Sequence, residues 1–345
     1  MRTVHVVPVG LSLWDNIGPD SADTYAGGDK LCQFLAAGFD DRYDLEEVDF
    51  DPVETLTATY PLFRGERPTE VPAALVEDFG ALSAETTSLH GEGVVAGRLS
   101  EGDHVLLIAS HTRPGLRTAV GVAHAIDIAA HHHAATHAGW GALAHHGWRV
   151  TAALAGTDPD TATPALLDRL TLPGGTVLVL DHLDMLSVNS YERSRAALGR
   201  VAAVWTVLLA TELGTGLRLH INGGFKALMP PLLSTGSLVA ALVDARRTHH
   251  VDAVLVPRGD GFAAAQESMT TPLDSAFGLG GLRESLRADD PERTREVIQK
   301  LRPLPIEFAS LLDTLLTENG NHTKLGSTLL RPPVPSQPTA HVTGL

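Results

Sequence analysis

Short, almost wholly apolar runs alternate along the chain with longer segments of helical character. Residues 3–9, TVHVVPV, form a compact β-branched run that ends at Gly10 and feeds directly into GLSLWDN. The same succession returns in DHVLLIAS at 103–110, which is followed by HTRPG and an apolar-periodic stretch beginning near Leu116. Three more such runs are GTVLVLDHLD at 175–184, GLRLHINGG at 216–224 and HVDAVLVPRG at 250–259. Between these last three lie ERSRAALGRVAAVWTVLLATEL at 192–213 and LMPPLLSTGSLVAALVDARRT at 228–248, both helical in pattern. Strands that are apolar on both faces and alternate with helices predict a mainly parallel sheet covered on two sides, a doubly wound, Rossmann-like α/β domain. In such sheets ligands bind outside the carboxyl ends of the strands. The turns of interest are therefore GLSLWDN, SHTRPG and NGGFK.

Past about residue 275 the pattern changes to charged, helix-like sequence interrupted by Pro303 and Pro305, and RPPVPSQPTAHVTGL closes the chain as an extended, Pro-rich tail. The expected organisation is a Rossmann-like domain over 1–275 and a small C-terminal helical region with its tail over 276–345. With 345 residues, 43% of them hydrophobic, the chain is long enough for a substantial core. Neither a signal-peptide pattern nor an apolar run of membrane-spanning length is found, so a cytoplasmic protein without membrane contact is expected. Cys32 is the single cysteine, which excludes an intrachain disulfide framework and a thiolate zinc cluster. The net charge of −15 argues against binding long nucleic acid, although a small anion in a locally basic pocket is compatible with it.

The residues of the three turns carry the candidate chemistry. Gly223 and Gly224 can bring backbone N–H groups close to a phosphate, and Lys226 adds a cation; a purely structural turn with a solvated Lys fits the same residues. The segment is not a Walker loop, and no GxGxxG follows the first strand. Ser12 can cap a helix or bond a ligand oxygen. Ser110, His111 and Thr112 allow the same two readings. In HHHAATHAGWGALAHH at 131–146, His133 and His137 are placed on one helical face as a conceivable zinc pair, but no third ligand follows and a solvated face is the preferred reading. Asp181, Asp184 and Glu192 read as helix-capping or surface acids. No metal and no cofactor are expected.

Taken together, four segments resemble a known family. VGLSLWDN is similar to the VGTSLxxN signature of CRISPR-associated Rossmann-fold (CARF) proteins, with Leu11 where Thr is usual. SAETTSL at 83–89 resembles their SAExxSL helix, LLIASHTRPGLRTA resembles LLxSDTxxGxxAA with His111 in place of Asp, and LHINGGFKALMP resembles NxTGGFKAxxP, with one residue missing between the Asn and the glycines or with Asn222 in the Thr place. The resemblance implies a homodimer whose strand ends form a two-fold pocket for cyclic oligoadenylate, tetra-adenylate being favoured and hexa-adenylate permitted, the messenger of type III CRISPR defence. In some members the domain also opens the ring without metal. Ser12 and Lys226 stand at the positions implied to be catalytic. Gly10, Leu11, Asn16, Ser110, His111, Thr112, Asn222, Gly223, Gly224 and Phe225 stand at those implied to bind ligand.

Effector members of the family carry a helical ribonuclease with an Arg-x4-6-His motif. Here that spacing occurs at Arg117 and His124, inside the Rossmann-like part, where it reads as helix rather than nuclease. The expected function is therefore a ring nuclease that ends the signal. A non-catalytic sensor acting through the C-terminal helices is the first alternative, and an unrelated Rossmann-like nucleotide enzyme is the second.

Overall fold

The computed structural model describes residues 2–10, 51–66, 71, 82–83, 85–86, 89, 99–153, 159–180, 188–221, 228–243, 250–255, 269–272, 279–331 and 334–335. These residues form a three-layer α/β structure built on a seven-stranded sheet. The strands are β1 (Arg2–Pro8), β2 (His104–Ser110), β3 (Trp148–Ala153), β4 (Gly174–Leu180), β6 (Thr215–His220), β7 (Val251–Leu255) and β8 (Met269–Pro272), in the spatial order β3-β4-β2-β1-β6-β7-β8. All neighbours pair in parallel except β8, which closes one edge antiparallel to β7. β5 (Glu212–Leu213) and β9 (Val334–Pro335) make a separate two-residue parallel pair that ties the C-terminal segment to the chain entering β6.

Helix α1 (Pro52–Thr59) is capped by Asp51, whose carboxylate accepts the Val53 and Glu54 N–H groups. It shares one core with α2 (Arg113–His133) and α3 (Ala138–His146), against the sheet face formed by Val7, Val105, Leu107, Val177 and Val179. The opposite face, formed by Val4, Val6, Leu106, Leu178, Leu217 and Leu219, is covered by α4 (Pro159–Leu170), α5 (Val188–Thr211) and α6 (Met229–Val243). Every residue of β1 and β4 is buried, as expected of central parallel strands sandwiched between helices.

The apolar character of α5 extends around its circumference because α5 is itself buried on both sides. Its outer face is covered by α9 (Ile306–Leu315), which follows α7 (Gly280–Arg287) and α8 (Pro291–Leu301). Phe308, Leu311, Leu312 and Leu315 of α9 join the same core as α5. The crossing is close at Gly199, where a Cβ would overlap the Glu307 carbonyl oxygen. Arg195 forms a bidentate ion pair with Glu307 across it, at 2.7 and 2.8 Å, and Glu307 is only 2% exposed.

Two local expectations give way to the tertiary structure. β3 and β8 are strands where no strand was read: β3 is an edge strand with Arg149 exposed, and β8 contains a proline, which an edge position tolerates. The single helical face assigned to His133 and His137 does not form. Helix α2 ends at His133, and His137 is the N-cap of α3, so the two imidazoles belong to different helices with ring centroids 6.3 Å apart. Among the described residues no group of three His, Cys, Asp or Glu side chains is arranged to hold a metal ion, and no helix is long and apolar enough to cross a membrane.

Candidate functional site

The strand order determines where a ligand crevice falls. The chain leaving β2 crosses to β3 through α2 and α3 on one face of the sheet, whereas the chain leaving β4 and β6 returns through α5 and α6 on the other. These connections follow from the right-handed crossover rule applied to strands added first on one side of β1 and then on the other. Adjacent strands whose connections depart to opposite faces leave a gap between them at their carboxyl ends. β1, β2 and β6 end side by side there: Pro8 is level with Ile108, and β1 pairs with β6 up to Val6 opposite Leu219.

Gly10 is held at this edge by a long-range contact. Its N–H donates to Glu85 Oε1 at 2.8 Å, and Glu85 is fully buried. Glu85 is placed by a reciprocal cap: Ser83 N–H donates to Thr86 Oγ1 at 2.8 Å, and Thr86 N–H donates to Ser83 Oγ at 3.2 Å. The SAETTSL segment thus supplies an anchor for the first turn, a role not read from the sequence. The signal available was one acid within an otherwise apolar and hydroxyl-bearing run.

The second turn is stitched across to β4 by His111 N–H, which donates to the Leu180 carbonyl at 2.8 Å. Ser110 Oγ lies 2.7 Å from Thr112 Oγ1, and Thr112 caps the 21-residue α2 by accepting the Gly115 N–H at 3.2 Å. Gly115 is required here because a Cβ would overlap both hydroxyl oxygens and the Ser110 carbonyl. All three turn residues, Ser110, His111 and Thr112, are half-buried. The amino terminus of a long helix, with its uncompensated N–H groups, therefore opens at the crevice and favours an anion there.

The third turn is reached through His220 and Ile221, and the Ile221 N–H donates to the Val254 carbonyl of β7 at 2.9 Å. Of the residues expected at the site, the structure brings together Gly10, Ser110, His111 and Thr112 at neighbouring strand ends. Leu11, Ser12, Asn16, Asn222, Gly223, Gly224, Phe225 and Lys226 lie outside the described residues, as do Asp181 and Asp184. Glu192 is exposed on α5. Arg117 is exposed on α2, and His124, two turns on, is held near pKa 4 by burial.

Just beneath the crevice the sheet is unusually polar. His5 of β1 and His220 of β6 face each other with Nδ1 and Nε2 3.1 Å apart, and His5 Nε2 lies 3.6 Å from Asp103 Oδ2. Burial, with the Arg218 guanidinium and His5 adding to it, holds the His220 imidazole well below its usual pKa. On the next rung Arg218 lies 3.8 Å from Asp252 of β7.

The strand order defines a doubly wound, Rossmann-like α/β protein in which β1, β2 and β6 end side by side. No family model matches the chain, and no curated protein matches it.

Proposed function

We propose that this protein binds cyclic oligoadenylate at the carboxyl ends of β1, β2 and β6 and opens the ring without metal. The observation that carries this reading is the adjacency of those three strand ends, at which Gly10, Ser110 and Ile221 stand. The amino terminus of α2 and a Gly-Gly-Phe-Lys segment are both suited to phosphate. In the reaction a ribose 2′-oxygen attacks the adjacent phosphorus, the P–O5′ bond breaks, and the proton lost from the 2′-hydroxyl is balanced by one gained at the departing 5′-oxygen. The products are linear fragments ending in 2′,3′-cyclic phosphate. Lys226 offsets the charge that builds on the phosphoryl oxygens, and Ser12 orients the reacting groups for in-line attack. Two copies of the chain related by a two-fold axis supply a symmetric pocket for a symmetric ring, and the protein acts in the cytoplasm.

A second reading, a sensor that does not cleave, is favoured by one feature. α5 begins just beyond the end of β4, and the Arg195–Glu307 pair fastens the C-terminal helices to its first turns. The test is incubation of the purified chain with cyclic tri-, tetra- and hexa-adenylate in EDTA, with Ser12→Ala and Lys226→Ala in parallel. Linear products bearing 2′,3′-cyclic phosphate, lost in both variants, support the nuclease. Binding without cleavage supports the sensor, and no binding to any ring overturns both.

A further inference from the structure

The polar chain beneath the crevice has a defined direction. Both carboxylate oxygens of Asp103 are acceptors: Oδ1 takes the Thr3 N–H at 2.5 Å, and Oδ2 takes the Ser100 N–H at 2.8 Å. His5 Nε2 faces Oδ2 at 3.6 Å, beyond hydrogen-bond reach but close enough for the carboxylate charge to favour the tautomer with its hydrogen on Nε2. A neutral His5 then has a lone pair on Nδ1. The 3.1 Å approach of His220 Nε2 to that lone pair requires a hydrogen on His220 Nε2, which leaves His220 Nδ1 an acceptor. All three side chains are buried, at 5%, 3% and 0% exposure, so water does not scramble this order. Arg218, the charged group nearest His220 on β6, has its own carboxylate in Asp252.

We infer that Asp103, His5 and His220 form a directional polar relay, a charge–dipole contact between Asp103 and His5 followed by a hydrogen bond from His220 to His5, that fixes His220 as the Nε2–H tautomer and so positions the carboxyl end of β6, two residues before Asn222. The relay runs obliquely across the sheet. Asp103 sits at the amino end, ahead of β2, and His220 is the last residue of β6. These are positioning residues, since none is placed against the ring. Their bearing on ligand binding rests on the reading given under Proposed function, whereas the relay itself does not.

Nitrogen NMR of the full chain with ¹⁵N-labelled histidine, without ligand, reads the tautomers directly. The expected result is His5 protonated at Nε2 and bare at Nδ1, with His220 protonated at Nε2. His5 protonated at Nδ1, or His220 bare at Nε2, overturns the relay. Asp103→Asn, which replaces one acceptor oxygen by a donor, is expected to change the His5 tautomer and to shift the backbone amide resonances of residues 221–227. Thr176→Val, which removes a buried histidine hydrogen bond on the other face of the sheet, is the control expected to leave those amides in place. Unchanged amides in Asp103→Asn, or equal shifts in the control, overturn the positioning role. Cyclic tetra-adenylate is expected to bind Asp103→Asn about fivefold more weakly, the size of one lost hydrogen bond. If the wild-type chain binds no ring, the functional reading falls and the NMR results alone decide the relay.

Discussion

The two ends of the sheet are built differently. At the amino end, side chains tie neighbouring segments together: Arg2 donates to the Thr171 and Leu172 carbonyls, His104 Nδ1 meets the Leu172 carbonyl at 2.9 Å, and Asp103 takes two backbone N–H groups. At the carboxyl end, among the described residues, Glu85 holds Gly10, Leu180 holds His111, and the Ser110 and Thr112 hydroxyls meet at the amino terminus of α2. The difference separates stability from function. One end closes the fold, and the other, on the function proposed above, holds a few backbone groups in place for a ligand.

Substitutions at the two ends should therefore have different signatures. The largest loss of stability is expected from His104→Ala at the amino end. The ring is buried, its Nε2 lies 3.0 Å from Thr176 Oγ1, and deletion leaves both a cavity and unpaired partners, costing about 3 kcal/mol. Chemical denaturation checks the loss, and ring binding should be unchanged. A joint loss of stability and binding would break the comparison.

Acid should expose the same end. Burial holds the folded-state pKa of His104 at about 3, below the ordinary 6.5, so between those values the unfolded chain takes up a proton that the folded chain refuses. Stability is therefore unaffected by this group above pH 6.5 and falls as pH drops below it. The loss reaches about 2 kcal/mol by pH 5. His220 acts in the same direction. Denaturation midpoints from pH 7 to pH 5 read the slope, and His104→Ala should make it shallower.

The smallest effect on stability and the largest on binding is expected at the carboxyl end. Gly115→Ala forces apart the Ser110 and Thr112 hydroxyls, at a cost of about 1–2 kcal/mol, while weakening cyclic tetra-adenylate binding about tenfold or more. A calorimetric titration alongside a denaturation curve separates the two quantities.

The sheet was legible because β1, β2, β4, β6 and β7 are short β-branched or leucine-rich runs with helices between them. Their buried central positions impose that composition on both faces. β3 and β8 escaped because edge strands need not be apolar throughout. The ends of β1, β2 and β6, where the three turns begin, also followed from the sequence, but the long-range contacts around them did not. Glu85 reaches Gly10 across 75 residues, and His5 meets His220 across 215, distances over which no local periodicity carries information. Gly115 stands in the SHTRPG segment with nothing in the sequence to single it out, and only its approach to Ser110 shows why no side chain fits. His133 and His137 show the reverse error: their spacing suggested one helical face, and the break at residues 134–137 separated them.

The most direct test is a titration of cyclic tetra-adenylate into the unsubstituted 345-residue chain and into Lys226→Ala, with the denaturation midpoint of each measured in parallel. The account predicts saturable binding by the wild type at one ring per two chains, and binding at least about tenfold weaker in the variant at unchanged stability. Absence of binding by the wild type, or equal binding by the two proteins, would contradict it.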